Sequence, residues 1–470
     1  MPIDDLSRPV PQREERARPT IVRYLVLAAF ASAAVISYLT RACTAPAGST
    51  IQHELHLSDP EMGYIHSGFF AGYILAQIPG GWFGNRLGAR RALTLLSLAW
   101  SACTLWTAWS GSFAMLWVSR VAVGFAQGGL FPIAAKVIVD WFPETRRGIA
   151  SAVITAFMSV GSIIANGLTV YLMEPMGWRG AFEVYCLVGV VWAIAFYAWF
   201  RNRPAEHWAT NKAERNLIRG SFDEWSSIPA GQSASAVGPD EAAESGAKSA
   251  RMNFDTIRIM ATSASMWAIC SQSFFRAFGY VLFITWFPSF LERSYALTVA
   301  NAGRLNMLPL LGVVLGCFVG GWVVDQLLTL TGSKWLSRSG VAAGGLALCA
   351  LATLLAIFAR DPLVAVTIIA IGALFSGLGG PTTWAATMDI GGNHTAIVFA
   401  IMNTAGNVGA IACPILLGYL IDYIRRVGGD WNLVLYLFAF VYLAGAASWL
   451  LLDPNRSAVE RPAARLAAET

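Results

Sequence analysis

The sequence predicts an all-α membrane protein of twelve transmembrane helices in two six-helix bundles. Three observations predict it. The chain of 470 residues is 56% hydrophobic and 13% charged, with a mean hydropathy of +0.54. A soluble globular chain carries about 25% charged residues. That difference excludes an ordinary soluble enzyme, and also a disordered or collagen-like chain despite 44 Gly and 20 Pro. Apolar runs of roughly 20 residues, the length that crosses a bilayer, recur along the chain. They fall six before and six after a polar segment at residues 201–255.

Taken in order, a polar tail at 1–20 leads into the first bundle, 21–200, with spans at 22–47, 61–84, 92–110, 113–141, 148–172 and 182–200. No small-residue cleavage site follows a short apolar region, so the first run is a span and not a cleaved signal. The linker 201–255 is rich in charge, Ser, Ala and Gly, and its middle, 230–250, lacks large apolar residues and is expected to be disordered. The second bundle, 256–453, has spans at 256–291, 301–328, 340–359, 363–388, 395–421 and 433–452, before a tail at 454–470. The halves echo each other. Gly80-Gly81-Trp82 with Asn85 and Gly320-Gly321-Trp322 with Asp325 end the second span of each half, 240 residues apart. A duplicated bundle of this kind is common among transporters.

Orientation follows from Lys and Arg. Arg13, Arg16, Arg18 and Arg23 precede span 1, and Arg86, Arg90 and Arg91 follow span 2. Arg146 and Arg147 follow span 4, and Arg201, Arg203, Lys212, Arg215 and Arg219 lie in the linker. Lys334 and Arg338 follow span 8. All share one side, so the termini and linker are expected to be cytoplasmic, in a cell membrane (the inner one in a bacterium). The opposite loops are short or acidic (Glu54, Asp59, Glu61). Arg425 and Arg426 are the exception, partly balanced by Asp422 and Asp430. Seven cysteines sit in apolar stretches without metal-ligand spacing, so they read as packing residues. No cofactor, metal or nucleic-acid partner is expected, and a monomer in the lipid bilayer is the expected unit.

Ionisable residues inside spans cost roughly 3 kcal/mol each on insertion scales. Arg41 late in span 1, Arg120 in span 4 and Arg276 in span 7 have no Asp or Glu near them in those spans. Cations without an internal anion predict a positive cavity for an anionic ligand, since guanidinium suits carboxylate or phosphate. The bland alternative is pairing with carbonyls or snorkelling to the interface. Arg120, Gly124 and Gln127 share a face of span 4. His66, Phe70, Tyr73 and Gln77 form a polar-aromatic stripe on span 2. Asn403 and Asn407 are one turn apart in span 11. Thr382, Thr383 and Trp384 follow a Gly-rich break at 377–380 in span 10. These are candidate ligand contacts, or equally interhelical hydrogen bonds and packing. His66 is a candidate proton carrier or a packed neutral imidazole.

Gly81-x-x-x-Asn85-Arg86-x-Gly88-x-Arg90-Arg91 resembles the signature loop of the major facilitator superfamily, and Asp325 looks like its second-half counterpart. Within that superfamily the chain resembles the anion:cation symporter family. The likeness rests on Tyr38-Leu39-Thr40-Arg41 in span 1, on Phe69-Phe70-Ala71-Gly72-Tyr73 and Gln77-Ile78-Pro79-Gly80-Gly81 in span 2, and on the run Arg120 to Gly129 in span 4. Gly177-Trp178-Arg179, Trp286-Phe287-Pro288 and Pro204-Ala205-Glu206-His207 add to it. Ile65-His66 and Phe275-Arg276 resemble the vesicular glutamate branch. The resemblance implies the major facilitator fold and carriage of sugar acids or other carboxylates by alternating access. Its proton-coupled sugar-acid members carry Asp where Thr40 stands and Glu where Gln127 stands, and the superfamily usually has Asp at Asn85.

The expected function is therefore transport of a small organic anion, with H+ or Na+ as possible co-transported ions and no enzymatic chemistry. Arg41, Arg120 and Arg276 are expected to hold the anionic group. Tyr38, Tyr73, Gln127, Thr383, Trp384, Asn403 and Asn407 are the other candidate contacts, and His66 is the coupling candidate. The rivals are an organophosphate:phosphate exchanger and a non-transporting membrane sensor on the same fold.

Overall fold

A computed structural model of the chain describes residues 19–218, 254–391 and 395–455. The expected disorder of 230–250, with Arg13, Arg16, Arg18 and Arg219, falls outside the described residues. All regular structure among the described residues is helical, and it resolves into twelve spans. Span 1 is Val22–Ala42. Spans 2 and 3 form one unbroken assignment, Asp59–Ala108, which bends at Gly88. Spans 5 and 6 likewise share Glu144–Trp199, which bends at Gly177. At both bends φ is positive, 76° and 70°, a region that glycine enters without steric cost. Span 4 is Phe113–Gln127 continued by Leu130–Trp141.

Span 7 follows a short helix, Phe254–Thr262, and comprises Ala264–Thr285 with Phe287–Tyr295. Span 8 is Val299–Thr331, and span 9 is a π turn, Leu336–Gly340, running into Val341–Ala356. Span 10 is Pro362–Gly377 and Gly379–Gly391, span 11 is Thr395–Val427 and span 12 is Asn432–Leu450. Span 1 ends earlier than the sequence predicts. The chain turns after Ala42 and forms a short helix, Gly48–Glu54. Pro46 lies in this stretch and has no N–H to continue the ladder. Span 7 instead runs four residues past its expected end at 291, to Tyr295.

Close glycine contacts build each bundle, and they repeat. A Cβ on Gly72 would overlap the carbonyl of Val121, and one on Gly124 would overlap that of Phe69, so spans 2 and 4 touch backbone to backbone. In the second half Gly312 meets Ala370 and Gly316 meets Leu374, which joins spans 8 and 10 in the same way. Gly72 and Gly312 differ by the same 240 residues as the Gly-Gly-Trp echoes. Small residues are what allow such approach where lipid gives helices no hydrophobic drive to associate.

The two bundles meet toward the end that carries Asp59. One apolar cluster draws on both bundles there, including Ile65, Phe69, Phe283, Trp286 and Leu417. A second cluster, with Val22, Phe30, Ile133, Trp141 and Phe200, belongs to the first bundle alone and lies toward the Gly88 end. Polar contacts follow the same division. Asn306 Nδ2 donates to Asn166 Oδ1 at 2.8 Å, Asn403 Nδ2 to Gln77 Oε1 at 3.1 Å, and the Tyr64 and Tyr419 hydroxyls lie 3.3 Å apart. Asp59 receives Arg293 Nη1 at 2.7 Å and Arg425 Nη1 at 2.9 Å, both from the second bundle. Arg426 pairs with Asp422 at 2.8 Å, whereas Arg425 crosses to the other bundle. Its partner is thus neither of the acids near it in sequence.

At the Gly88 end, the backbone N–H of Arg90 donates to Asn202 Oδ1 at 2.9 Å, and Arg90 Nε donates to the Tyr197 carbonyl at 2.8 Å. The linker is fastened there too, where the buried Glu214 accepts the Arg23 N–H at 3.1 Å. Asn85 and Asp325, the paired echoes of the two halves, are both exposed.

The glycine contacts predict a steep packing penalty. Gly124→Leu should lower the melting midpoint in detergent, since overpacking a tight contact costs about 1–3 kcal/mol or more. Gly344→Ala, which adds a Cβ with nothing within 4 Å, should leave the midpoint near wild type. Equal midpoints for the two would refute the packing account.

Candidate functional site

Arg41 stands one residue before the end of span 1 and is half-buried. Its guanidinium lies 4.9 Å from the ring centre of Tyr38, 4.7 Å from those of Phe69 and Phe70, and 5.7 Å from that of Tyr73. Its Nη1 donates to the Tyr38 hydroxyl at 3.1 Å, and its Nε has no partner. Each cation–π contact is worth about 0.5–2 kcal/mol. Four rings offset the desolvation of the charge, yet none neutralises it. The stripe His66, Phe70, Tyr73 and Gln77 puts two of these rings, Phe70 and Tyr73, on one face of span 2, and Tyr73 stacks on Phe69 at 6.0 Å.

Arg120 is 2% exposed. Its Nη1 donates to the Thr40 carbonyl at 3.0 Å and its Nη2 to the Arg41 carbonyl at 2.9 Å. Those carbonyls belong to the last turn of span 1, which has no intrahelical donor for them and carries the negative end of the helix dipole. Arg120 therefore fixes the end of span 1 and holds Arg41 through its backbone. Its Nε remains unpartnered.

Beside it, Gln127 locks into span 1. Its Oε1 accepts from the Ser37 hydroxyl at 2.8 Å, and its Nε2 donates to Thr40 Oγ1 at 2.8 Å. Thr40 passes its own proton to the Ile36 or Ser37 carbonyl, at 3.1 and 3.0 Å. This buried chain is neutral. Between Arg41 and Arg120 lies a pinched cavity of about 10 Å³, lined also by His66, Thr44 and Thr285. It holds about one water and is far too small for a sugar-sized solute. His66 is buried edge-on against the Trp286 indole, 5.5 Å between ring centres.

The second bundle contributes Arg276, which has no carboxylate or hydrogen-bond partner among the described residues. Its side chain runs along the break in span 10, with Cδ 3.8 Å from where a Gly379 Cβ would be. One turn on, Tyr280 lies near Tyr38 and Arg41 of the first bundle, between the two arginine regions. The candidate list lacks Tyr280; its i+4 spacing from Arg276 is the signal that would have found it.

The span 10 break falls at Leu378, within the Gly-rich stretch. Span 4 has a twin break at Gly128-Gly129, which the sequence pattern alone did not single out. The hydroxyls of Thr382 and Thr383 donate to the Gly379 carbonyl at 2.8 and 2.6 Å. These are back-bonds within the helix that follows the break, leaving only acceptor capacity for a solute. Trp384 is exposed and stacks on Phe399 at 4.2 Å. Asn407 donates to the Asn403 carbonyl at 2.9 Å, while Asn403 reaches Gln77. The structure thus groups Arg41, Arg120, Tyr38, Tyr73, Gln127 and His66. Arg276 meets that group through Tyr280, and Thr383, Trp384, Asn403 and Asn407 form separate contacts.

The sequence profile of the Major Facilitator Superfamily matches residues 30–334 and 329–469. The chain belongs to that superfamily. It is accordingly a multi-pass membrane transporter and not an enzyme. Among relatives of this major facilitator protein, one named "Probable sulfoacetate transporter SauU" from Cupriavidus necator is 26% identical, covering 92% of this chain and 94% of its own. The "D-galactonate transporter" of an Escherichia coli strain is 28% identical, covering 93% and 96%. A "Probable galactarate/D-glucarate transporter GudP" from Bacillus subtilis is 26% identical, covering 93% and 92%. The fold is shared with an inward-facing, unoccupied bacterial homologue of the human lysosomal transporter Spinster. That match has a TM-score of 0.68 at 18% identity, covering 92% of this chain and 94% of the other.

The Ser37–Gln127–Thr40 chain makes a prediction. Thr40→Val leaves the Gln127 amide N–H buried without an acceptor, at a cost of about 1–3 kcal/mol. Thr40→Ser keeps the acceptor. Melting midpoints in detergent should fall for the valine variant and stay near wild type for the serine one.

Proposed function

We propose that this major facilitator protein carries a small carboxylate-bearing organic anion, of the sugar-acid class, across the membrane by alternating access. The observation that carries the reading is Arg41: a guanidinium among four aromatic rings and one phenol, with no carboxylate. A charge in that setting lacks a counter-ion, and an anionic solute supplies one. The names of the relatives point to the same solute class, since galactonate, glucarate and sulfoacetate are all small organic anions.

In this proposal Arg41 binds the anionic group from the first bundle and Arg276 from the second. Arg120 orients Arg41 and keeps its Nε for the solute. Tyr38, Tyr73 and Tyr280 contact the rest of the solute, with Trp384, Asn403, Asn407, Gln127 and Thr383 toward its margin. Alternate contact of the bundles at their two ends exposes this centre first to one side and then to the other. The arginine bias makes the Gly88 end cytoplasmic and the Asp59 end the outer one, so the conformation described is closed to the outside.

A thermal-shift screen of the purified protein tests the ligand class, because a ligand that binds the folded state raises the midpoint. D-galactonate, D-glucarate or sulfoacetate should raise it, and sugar phosphates should not. Arg41→Ala and Arg120→Ala should abolish uptake into proteoliposomes, and Lys at position 41 should recover little because a point charge lacks the planar fork. Near-normal uptake by Arg41→Ala would sink the site assignment.

Coupling follows from the neutral chain at Thr40 and Gln127. Neither residue carries a proton between the two sides, so uptake should generate little or no pH change inside liposomes. Proton flux in the wild type but not in His66→Gln would assign the proton to His66. Strong flux in both would contradict the proposed absence of coupling at this centre.

A further inference from the structure

The Asp59 cluster is a carboxylate-binding site occupied by the protein's own carboxylate. Asp59, at the start of span 2, is 1% exposed. Arg293 Nη1 at 2.7 Å and Gln52 Nε2 at 2.9 Å meet its Oδ1, and Arg425 Nη1 at 2.9 Å meets its Oδ2. Arg293 Nη2 in turn donates to Gln52 Oε1 at 2.9 Å. Both guanidiniums come from the second bundle, Arg293 at the end of span 7 and Arg425 at the end of span 11. Asp59 and Gln52 come from the first.

The backbones are in contact at the same place. A Cβ on Gly418 would lie 2.6 Å from the Asp59 carbonyl, and one on Gly63 would overlap the carbonyl of Pro414. Opening this end must therefore part Asp59 and Gln52 from both arginines together. What remains on the second bundle is a pair of guanidiniums stripped of their carboxylate. Their charged neighbours there are Glu292, next in sequence to Arg293, and Arg426, already paired with Asp422. Glu292 offsets only one of the two cations. The mouth that appears is positive on balance.

We propose that Arg293 and Arg425 form an outer recruitment site for the anionic solute, held shut by Asp59 when the bundles close at this end. The proposal rests on the anion-carrier reading for the identity of its solute. The chemistry is that of the closed cluster with a solute carboxylate in place of Asp59. The solute then meets two cations before it reaches Arg41, and Asp59 returning to them displaces the solute inward and seals the mouth. Charges arranged at an entrance raise the local concentration of an oppositely charged solute and speed its capture.

The test reads the field without needing the solute. Ser289, 2% exposed and facing Gly48 across the bundles, is replaced by cysteine in a full-length chain lacking its native cysteines. Labelling by an anionic and by a cationic methanethiosulfonate is timed from outside. Adding Asp59→Asn should accelerate both reactions, with the anionic reagent favoured by about tenfold at low ionic strength and the preference shrinking with salt. Adding Arg425→Gln to that should keep the acceleration and remove the preference. Unchanged labelling in Asp59→Asn would overturn the latch, and equal rates for the two reagents would overturn the recruitment site.

A second measurement uses the otherwise native chain. Arg425→Gln should raise the KM for D-galactonate uptake at low salt and flatten its salt dependence, with kcat kept. An unchanged KM and salt slope would overturn recruitment even if the cysteine-free chain failed to fold. If no organic anion is transported at all, the solute reading fails while the labelling result still stands.

Discussion

An uncompensated guanidinium in a low-dielectric centre is the constraint from which the rest of this molecule follows. Arg41 has no carboxylate to meet among the described residues. The fold surrounds it instead with aromatic faces, a phenol and a helix end secured by a second arginine. Each of those partners lowers the cost of the charge without cancelling it. A carboxylate placed there as a permanent salt-bridge partner would satisfy Arg41 and remove its capacity to bind a solute. The neutral Ser37–Gln127–Thr40 chain is consistent with that, because it fills the adjoining space with satisfied hydrogen bonds and leaves the charge alone.

Rigid placement of this centre depends on the glycine contacts. Spans 2 and 4 carry the rings and Arg120, and they touch backbone to backbone at Gly72 and Gly124. Spans 8 and 10 repeat the arrangement at Gly312 and Gly316. In the proposed cycle each bundle therefore moves as a body, and the polar contacts between bundles are the ones that change. Two helices break close to the central residues, span 4 after Gln127 and span 10 after Gly377. In both, the break brings helix ends close to the central residues, where an intact helix would offer only side chains.

Much of this was legible in the sequence because it is local. Span lengths, the 240-residue echo, the stripe on span 2 and the lone arginines all depend on spacing within one helix. The Gly-rich break of span 10 was legible for the same reason. What spacing could not reveal was pairing between distant residues. Asp59 and Arg425 stand 366 positions apart, and the acids near Arg425 in sequence offered nearer but wrong partners. Carbonyl pairing was an open alternative for Arg120, but that the carbonyls are those of Thr40 and Arg41 was equally hidden, because a carbonyl leaves no mark on residue identity. Thr382 and Thr383 read as ligand hydroxyls for the same reason, since the backbone acceptor that takes their protons is invisible in the sequence. Tyr280 was missed differently: a tyrosine in an aromatic-rich span does not stand out until Arg276 is seen one turn away.

The central and outer arginines share one logic, which links closure to charge. In the closed outer end, Asp59 satisfies Arg293 and Arg425, so the seal is favourable with no solute present. At the centre, Arg41 and Arg276 are unsatisfied in the same conformation. The empty protein is thus balanced between a neutralised gate and an unneutralised core. On the proposed reading a bound anion changes only the second of these, since it neutralises the core while the gate keeps its own carboxylate. Burial of the centre during the swing between faces then costs less with a solute than without one, because a paired charge is cheaper to desolvate than a bare one. A carrier that crosses more readily loaded than empty moves its solute without leaving an open path, and that preference needs no proton. On the proposed reading it needs a cation at the centre that no carboxylate among the described residues neutralises.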